Sequence, residues 1–567
     1  MITSSSQVRL TLLQMLCCSS SLLLVSCSDQ TAETPATSAA ESVVAAPAAV
    51  LDCQQLASIT FTAESIGLPT TGANVVFAEL VAADAADNSN GEYCKVLGTI
   101  HPVDLAAPDI NFEVNLPTNW NSKMLQFGGG GLNGYLVTGL GHYAKQPESE
   151  QTPLARGYVT LGSDSGHQGA GIFDGSFYLN AEALDNFGHM QIKKTHDVAM
   201  QLIAARYGAE PAHSYFIGGS QGGHEGFDAV QRYPDDYDGV VAGYPAHNAV
   251  MLHLAAWNFA KALQANDGRS WLSPVEAEFL VGAVYARCDA LDDASDGIIS
   301  NVSACKKATA PLKLQTEDNP IRCVDGVDTG DDCLSDPQIE ALNAVDVSYR
   351  VGFPAFADDT QSAEFPKWTP FEGSTFKDGG LSILGAEGPQ QALQYALGAA
   401  TPGLAIAEDS NLNVYENFDP LRYEARIKDI VPRLSANSTN LDRWRAKGGK
   451  LIYFHGLVDD FISPYSSIQY WNRLQNRYHT AVLGDFIRFY TIPGMGHVTG
   501  VFDARLSLLD VLEAWVERGV APGELVASDA NQATAGRTRP VCLYPAWPKY
   551  SGTGDLNVAA SFSCVME

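Results

Sequence analysis

Ser214-Tyr215-Phe216-Ile217-Gly218-Gly219-Ser220-Gln221-Gly222-Gly223 runs a short apolar stretch straight into a G-x-S-x-G pentapeptide. The stretch reads as a buried strand, and a helix is expected to start after Ser220. Small residues on both sides of the serine permit a tight, strained turn that lifts its hydroxyl out of a sheet. A serine is a weak nucleophile at neutral pH and needs a base beside it. Without one, the segment would be only a glycine-rich turn with a passive serine.

The surroundings repeat the strand–helix alternation. Phe112-Glu113-Val114-Asn115-Leu116 alternates like a strand and meets a Pro-Thr-Asn-Trp turn. Lys123 to Phe127 is a second strand, stopped by Gly128-Gly129-Gly130-Gly131, and Tyr158 to Leu161 is a third. Residues 189–207 carry Ile192, Val198, Leu202 and Ile203 at helical spacing. Val240-Val241-Ala242 continues the pattern, which breaks after Pro245. Leu451-Ile452-Tyr453-Phe454 and Phe486 to Tyr490 restore it, and Leu506 to Val516 forms an apolar-periodic helix. This is the rhythm of a doubly wound sheet. The expected architecture is an α/β-hydrolase core, residues 53–246 and 446–567, interrupted by a large inserted lid domain, residues 247–445.

In that fold the acid and then the base follow the nucleophile along the chain. His497, in Gly494-Met495-Gly496-His497, is the expected base; His224 and His455 are weaker rivals. Asp459, in His455-Gly456-Leu457-Val458-Asp459-Asp460, is the expected acid, ahead of Asp460 and the distant Asp485. Such a carboxylate fixes the histidine tautomer and steadies its charged form. An oxyanion hole needs backbone N–H donors. Gln221 should supply one and Gly130 or Gly131 the other. No GKS/T follows the glycine run, so nucleotide binding is rejected.

The inserted region holds Cys288-Asp289-Ala290-Leu291-Asp292-Asp293-Ala294-Ser295-Asp296-Gly297-Ile298. Alternating acidic side chains ending in Asp-Gly suit a hard cation such as calcium, although the closing glutamate of an EF-hand is absent. The competing reading is a solvated acidic loop beside a disulfide. A calcium ion here would be structural, because the loop carries no nucleophile or base.

Arg9 precedes two apolar runs, and Leu24-Val25-Ser26-Cys27 resembles a bacterial lipobox. Residues 1–27 are therefore expected to be an export signal, with Cys27 as a lipid anchor. The alternative is an ordinary cleaved signal. Residues 28–52, poor in anything to bury, read as a flexible tether. The expected location is the periplasm or an outer-membrane anchor, or otherwise the medium. Beyond Cys27 eight cysteines remain, an even number that suits four disulfides in an exported chain. Order alone leaves the pairing open; the simplest is between neighbours, Cys53–Cys94, Cys288–Cys305, Cys323–Cys333 and Cys542–Cys564. The 65 acidic residues against 35 basic ones give a net charge of -30. That surface repels phosphate backbones and argues against nucleic-acid partners; its simplest role is solubility.

Several motifs together resemble the tannase and feruloyl esterase family, which also contains a bacterial hydrolase of mono(2-hydroxyethyl) terephthalate. They are Phe112 to Pro117 with Trp120-Asn121, Gly128–Gly131, Ser214 to Gly223, Gln231-Arg232-Tyr233-Pro234-Asp235-Asp236-Tyr237-Asp238-Gly239, Cys288 to Asp292, His455-Gly456 with Asp459, and Ala559 to Cys564. The resemblance implies hydrolysis of esters of aromatic acids by an acyl-enzyme route, a lid that grips the aromatic acyl group, and no organic cofactor. It also implies calcium held by the side chains of Asp289, Asp292 and Asp296 and the carbonyls of Ala294 and Ile298. Trp368, Phe371, Phe376, Phe418 and Tyr423 are lid aromatics that can stack on a ring or simply pack in a core.

One departure stands out. The family usually carries a cysteine just before the serine and another just after the histidine, joined beneath the triad. Gly219 and Val498 occupy those positions here. Packing alone must then hold Ser220 and His497 in register; activity should survive, with a less heat-resistant site. Two other functional readings stand beside the esterase: a catalytically silent binding protein on the same fold, and a peptidase.

Overall fold

A ten-stranded mixed sheet runs through the computed structural model, which describes residues 50–355, 364–377 and 393–566. Its strands are β1 (Thr60–Phe61), β2 (Gly72–Val81), β3 (Tyr93–His101), β4 (Ile110–Pro117), β5 (Lys123–Phe127), β6 (Val159–Ser163), β7 (His213–Gly219), β8 (Gly239–Gly243), β9 (Lys450–Gly456) and β10 (Ile487–Ile492). They lie side by side in the order β1-β2-β3-β4-β6-β5-β7-β8-β9-β10. The first four are antiparallel, and β4 meets β6 antiparallel. From β6 to β10 every pairing is parallel. This is the α/β-hydrolase arrangement, with a mixed, mostly parallel sheet and helical insertions.

The helices that position the site are α1 (Gln191–Tyr207), α2 (Gln221–Arg232), α3 (Ala249–Gln264), α4 (Pro274–Cys288), α5 (Pro464–Tyr478) and α6 (Leu508–Arg518). Successive strand residues point to opposite faces. Phe216, Val240, Ala242, Leu451 and Tyr453 meet α1, α2 and α5 on one face of the sheet. Tyr215, Ile217, Val241, Ile452 and Phe454 meet α6 on the other. Because both faces are covered, the central strands read as nearly unbroken apolar runs rather than alternating ones. The sheet's C-terminal edge is thereby fixed, and Ser220 sits on it.

Between β8 and β9 the chain leaves the sheet and builds a helical layer with its own core around Val250, Leu254, Trp257, Leu280 and Ile339. That core extends beyond the expected 247–445 segment. Phe177, Tyr178, Leu184 and Phe187, from the stretch before α1, join it. Conversely, Leu441 and Trp444 pack with the sheet. The periodicity break after Pro245 marked the insertion in sequence, but only packing assigns these flanking residues to one core or the other.

All the described residues fall in one unit, Ala48–Glu567. The Leu51 N–H donates to the Ala205 carbonyl at 2.9 Å, and Arg206 Nη1 donates to the Leu51 carbonyl at 3.1 Å. The ordered fold therefore includes Leu51 and Asp52, which the sequence reading gave to the tether. The expected export signal, Cys27 and the expected tether up to residue 49 lie outside the described residues. Among the described residues no helix is long and apolar enough to cross a membrane.

Four disulfides close between neighbours, Cys53–Cys94, Cys288–Cys305, Cys323–Cys333 and Cys542–Cys564. The first joins cysteines with a sequence separation of 41 and ties the N-terminal segment to β3. By the chain-entropy relation a loop of that length is restrained by about 4 kcal/mol in the unfolded state. Replacing Cys53 and Cys94 with Ser should lower the unfolding free energy by about that amount in a denaturant titration. A loss below about 1 kcal/mol would mean that the disulfide restrains little.

Candidate active site

Ser220 lies between β7 and α2 with φ 62° and ψ -121°, a conformation few L-residues adopt. Its neighbours hold it there. The Ser220 N–H donates to the Gly243 carbonyl at 3.0 Å, and its own carbonyl accepts from His224 N at 3.1 Å. The turn also brings α2 against the glycine loop after β5. A Cβ on Gly222 would fall 2.7 Å from the Gly129 carbonyl oxygen, so only glycine fits there.

The base and acid come from the ends of two further strands. His497 follows β10, and its Nε2 lies 3.0 Å from Ser220 Oγ. Its Nδ1 lies 2.8 Å from Asp459 Oδ2, in the turn after β9. A carboxylate only accepts, so Nδ1 carries the hydrogen and Nε2 is left to accept from the serine. Asp459 is wholly buried. Its Oδ1 accepts from the N–H groups of Phe461 and Ile462 at 2.9 and 2.8 Å. Burial raises its pKa, but the charges and hydrogen bonds of His497 and His455 outweigh that and hold the carboxyl well below its usual range.

The remaining histidine and aspartate candidates lie elsewhere in the network. His455 stands behind Asp459: its Nε2 donates toward Asp459 Oδ2 (3.2 Å) and the Ile462 carbonyl (2.9 Å), and its Nδ1 meets Ser467 Oγ at 2.8 Å. His224 is buried on α2 with its ring nitrogens facing the Ala246 carbonyl (2.9 Å) and Asp228 Oδ2 (3.0 Å). Both partners are acceptors, so it packs as a cation in a structural pair. Asp460 is buried beside Asp459, and Asp485 is exposed in the turn before β10.

The N–H groups of Gln221 and Gly131 donate to no backbone carbonyl of the described residues, the Gly130 N–H faces the Tyr135 hydroxyl, and both glycines line the same cavity as Ser220. The glycine loop is anchored from below. Glu225, buried on α2, accepts from Gly129 N at 2.9 Å through Oε2 and from Asn133 Nδ2 at 2.7 Å through Oε1. Burial pushes its carboxyl up to about 7 against these two donors. No motif pointed to Glu225; the one signal was an acid among the glycines of the first turn after the nucleophile.

The cavity over Ser220 encloses about 460 Å³. Its aromatic wall is Tyr135, Phe173, Tyr244 and Phe461. Trp368, Phe371, Phe376, Phe418 and Tyr423, which sequence offered as ring-stacking candidates, are not on it. Trp368, Phe371, Phe376 and Phe418 are buried in the core of the helical layer, with Tyr423 packed against it. Composition could not separate them from the true wall, because the wall comes from loops of the sheet half.

Tyr244 also explains the missing cysteine pair. Its ring stands edge-on to the His497 ring, with centroids 4.8 Å apart, and Phe461 does the same from another side at 5.0 Å. A Cβ on Gly219 would fall 2.6 Å from the Tyr244 hydroxyl. The tyrosine thus fills the space beside the serine that a side chain at position 219 would need.

In the acidic loop, Asp292 is buried and accepts from Ala294 N at 3.1 Å and Ser300 N at 3.2 Å. Asp289 accepts from Gly297 N at 2.8 Å and Asp296 from Ile298 N at 2.9 Å. Arg539 pairs with Asp296. Burial first, and then the charge of Asp296, push the Asp292 carboxyl up to about 6. Four carboxylates stand in one short turn, Asp289, Asp292, Asp293 and Asp296; Lys549 pairs with Asp293 and Arg539 with Asp296, and the remaining negative excess suits an oxygen-seeking cation. Elsewhere, His196, Asp197 and Asp236 converge, but the Lys193 ammonium already lies between the two carboxylates at 2.9 and 3.1 Å.

The chain as a whole is similar to known esterases. A family model described as "Tannase and feruloyl esterase" matches residues 94–565. An uncharacterized esterase of Agrobacterium fabrum is 37% identical over 529 residues, covering 90% of this chain and 92% of that protein. A mono(2-hydroxyethyl) terephthalate hydrolase of Piscinibacter sakaiensis is 28% identical over 516 residues, covering 83% of this chain and 85% of its own. The crystal structure of feruloyl esterase B from Aspergillus oryzae superposes with a TM-score of 0.71 at 25% identity, over 88% of this chain and 98% of that one.

Gly219→Ala should cost about 1–3 kcal/mol of stability by driving a methyl group into Tyr244. Combining it with Tyr244→Ala should recover at least about 1 kcal/mol in a double-mutant cycle read by thermal or denaturant melts. Strict additivity would show that Tyr244 does not occupy that space.

Proposed function

The chain belongs to the tannase and feruloyl esterase family of carboxylic ester hydrolases, and we propose that it is an exported serine esterase that cleaves esters of aromatic acids through an acyl-enzyme. The observation that carries this reading is the aligned Ser220–His497–Asp459 chain, with contacts of 3.0 and 2.8 Å at the mouth of a cavity rich in aromatic side chains.

Ser220 Oγ attacks the ester carbonyl as His497 Nε2 takes its proton. Asp459, kept ionised, holds the imidazole in place and steadies the imidazolium. The N–H of Gln221 and that of Gly131 or Gly130 face the developing oxyanion, where fixed donors stabilise the tetrahedral intermediate more than the ester itself. His497 returns the proton to the departing alcohol. Water then repeats the sequence on the acyl-enzyme and releases the acid. Phe173, Phe461 and Tyr135 offer flat apolar surface to an aromatic ring. The family resemblance also names feruloyl, galloyl and terephthaloyl esters as candidate substrates. Export fits a chain with four disulfides, which persist in oxidising compartments; Cys27 is the proposed lipid anchor.

We also propose that calcium is held by Asp289, Asp292 and Asp296, with carbonyls from Ala294 and Ile298, and that it fixes the loop after α4. When bound, the ion supplies charge balance to that loop. It takes no part in the chemistry at Ser220.

The purified mature domain should hydrolyse at least one of methyl ferulate, methyl gallate, mono(2-hydroxyethyl) terephthalate and p-nitrophenyl acetate. Ser220→Ala should abolish that turnover, and Asp459→Asn should lower kcat by about 10³- to 10⁴-fold. Silence on all four, with no labelling by a fluorophosphonate, would favour a binding protein; cleavage of peptides instead would favour a peptidase. Chelation with EGTA should lower Tm by about 5 °C or more, restored by added calcium. An unchanged Tm would remove the ion from the loop.

A further inference from the structure

Two cations, Lys145 and Arg505, reach the wall of the catalytic cavity, and among the described residues that wall carries no carboxylate. A chain with 65 acidic and 35 basic residues would ordinarily present the opposite. The one nearby acid, Asp503, lies off the wall and bridges the pair: Oδ1 accepts from Lys145 Nζ at 2.8 Å and Oδ2 from Arg505 Nη2 at 2.9 Å. Two positive groups and one negative group leave one net positive charge facing the cavity.

The two cations differ in what they have left to give. The Lys145 side chain is 4% exposed. It is fixed by Asp503 and by the Val498 carbonyl at 2.9 Å. Its backbone is left-handed, φ 67°, an unusual state for a lysine, and its carbonyl accepts from Leu506 N at 2.9 Å. Backbone strain of this kind concentrates at functional sites. The Arg505 side chain is 25% exposed, and among the described residues one of its five guanidinium N–H donors, on Nη2, meets an acceptor, Asp503, while Nε is buried. That donor fork matches a carboxylate, and the apolar remainder of the cavity would strengthen the contact.

The cluster is tied to the residue after His497 through the Val498 carbonyl. His497 hands its proton to the departing alcohol, so this is the leaving-group side of the reaction. We infer that the ester this site takes carries a carboxylate on its alcohol half, held by Arg505 while Asp503, itself held by Lys145, fixes the guanidinium: an aromatic acid esterified to a hydroxy acid. This rests on the esterase reading above and narrows it.

The test compares kcat/KM of the full enzyme on matched pairs. The feruloyl ester of hydroxyacetic acid should be cleaved about 10- to 100-fold better than that of hydroxyacetamide, mainly through a lower KM. Monomethyl terephthalate and methyl 4-carbamoylbenzoate, which differ on the acyl half, should show no such preference. In Arg505→Gln the first ratio should fall toward one, and Arg505→Lys should restore part of it. A first ratio at or below one in the wild-type enzyme overturns the inference while leaving the esterase intact. A preference only in the second pair overturns the placement on the alcohol half. If none of these esters nor p-nitrophenyl acetate is cleaved, the esterase reading falls and takes this inference with it.

Discussion

Ser220 is held at φ 62°, ψ -121°, a backbone state that costs on the order of 1–3 kcal/mol and persists only where its surroundings over-determine it. Most of the catalytic geometry follows from that requirement. The strand before it must be buried and rigid, the helix after it must start at once, and nothing bulky can stand at the crossing with the glycine loop. The bond from Ser220 N to the Gly243 carbonyl ties the turn to β8, and the contact of Gly222 with Gly129 ties it to the loop after β5. The same two attachments that keep the serine strained bring the glycine loop, with Gly130 and Gly131, to the cavity that holds its hydroxyl. Nucleophile and glycine loop are thus one device, and Glu225 braces it from beneath.

His497 and Asp459 reach this device because parallel strands end on one edge of a sheet. Three side chains from the ends of β7, β9 and β10 converge although 277 residues separate the serine from the histidine. Where relatives are expected to rely on a cysteine pair, Tyr244 and Phe461 hold the imidazole by edge-on ring contacts. Such contacts restrain a ring without a covalent bond. They also make the site depend on packing from β8 and from the Asp459 turn together, so loosening either element would shift the base.

The legible features were those whose chemistry dictates both residue type and local context. The G-x-S-x-G turn, the strand rhythm around it and the glycine run after Lys123–Phe127 each require particular residues at fixed offsets. Glu225, Tyr244, Lys145 and Arg505 have no such signature, because each acts through a neighbour distant in sequence. Lys145 meets Asp503 across 358 positions, and no local pattern encodes that contact. The lid aromatics stayed ambiguous for the converse reason. Trp368 and Phe371 look alike as core or as wall, and burial alone decides between them.

Charge completes the division of roles. A net charge of -30 favours solubility but opposes the approach of an anion. At physiological salt such a field is screened within about 8 Å, whereas groups facing each other inside a cavity are screened far less. A single net positive charge on the cavity wall therefore outweighs thirty distant negative ones for a ligand already inside. Because Asp503 neutralises one of the two cations from behind the wall, the pair can sit together without mutual repulsion expelling either. Selectivity in this arrangement comes from loops of the sheet half next to the base, while the helical layer contributes cover.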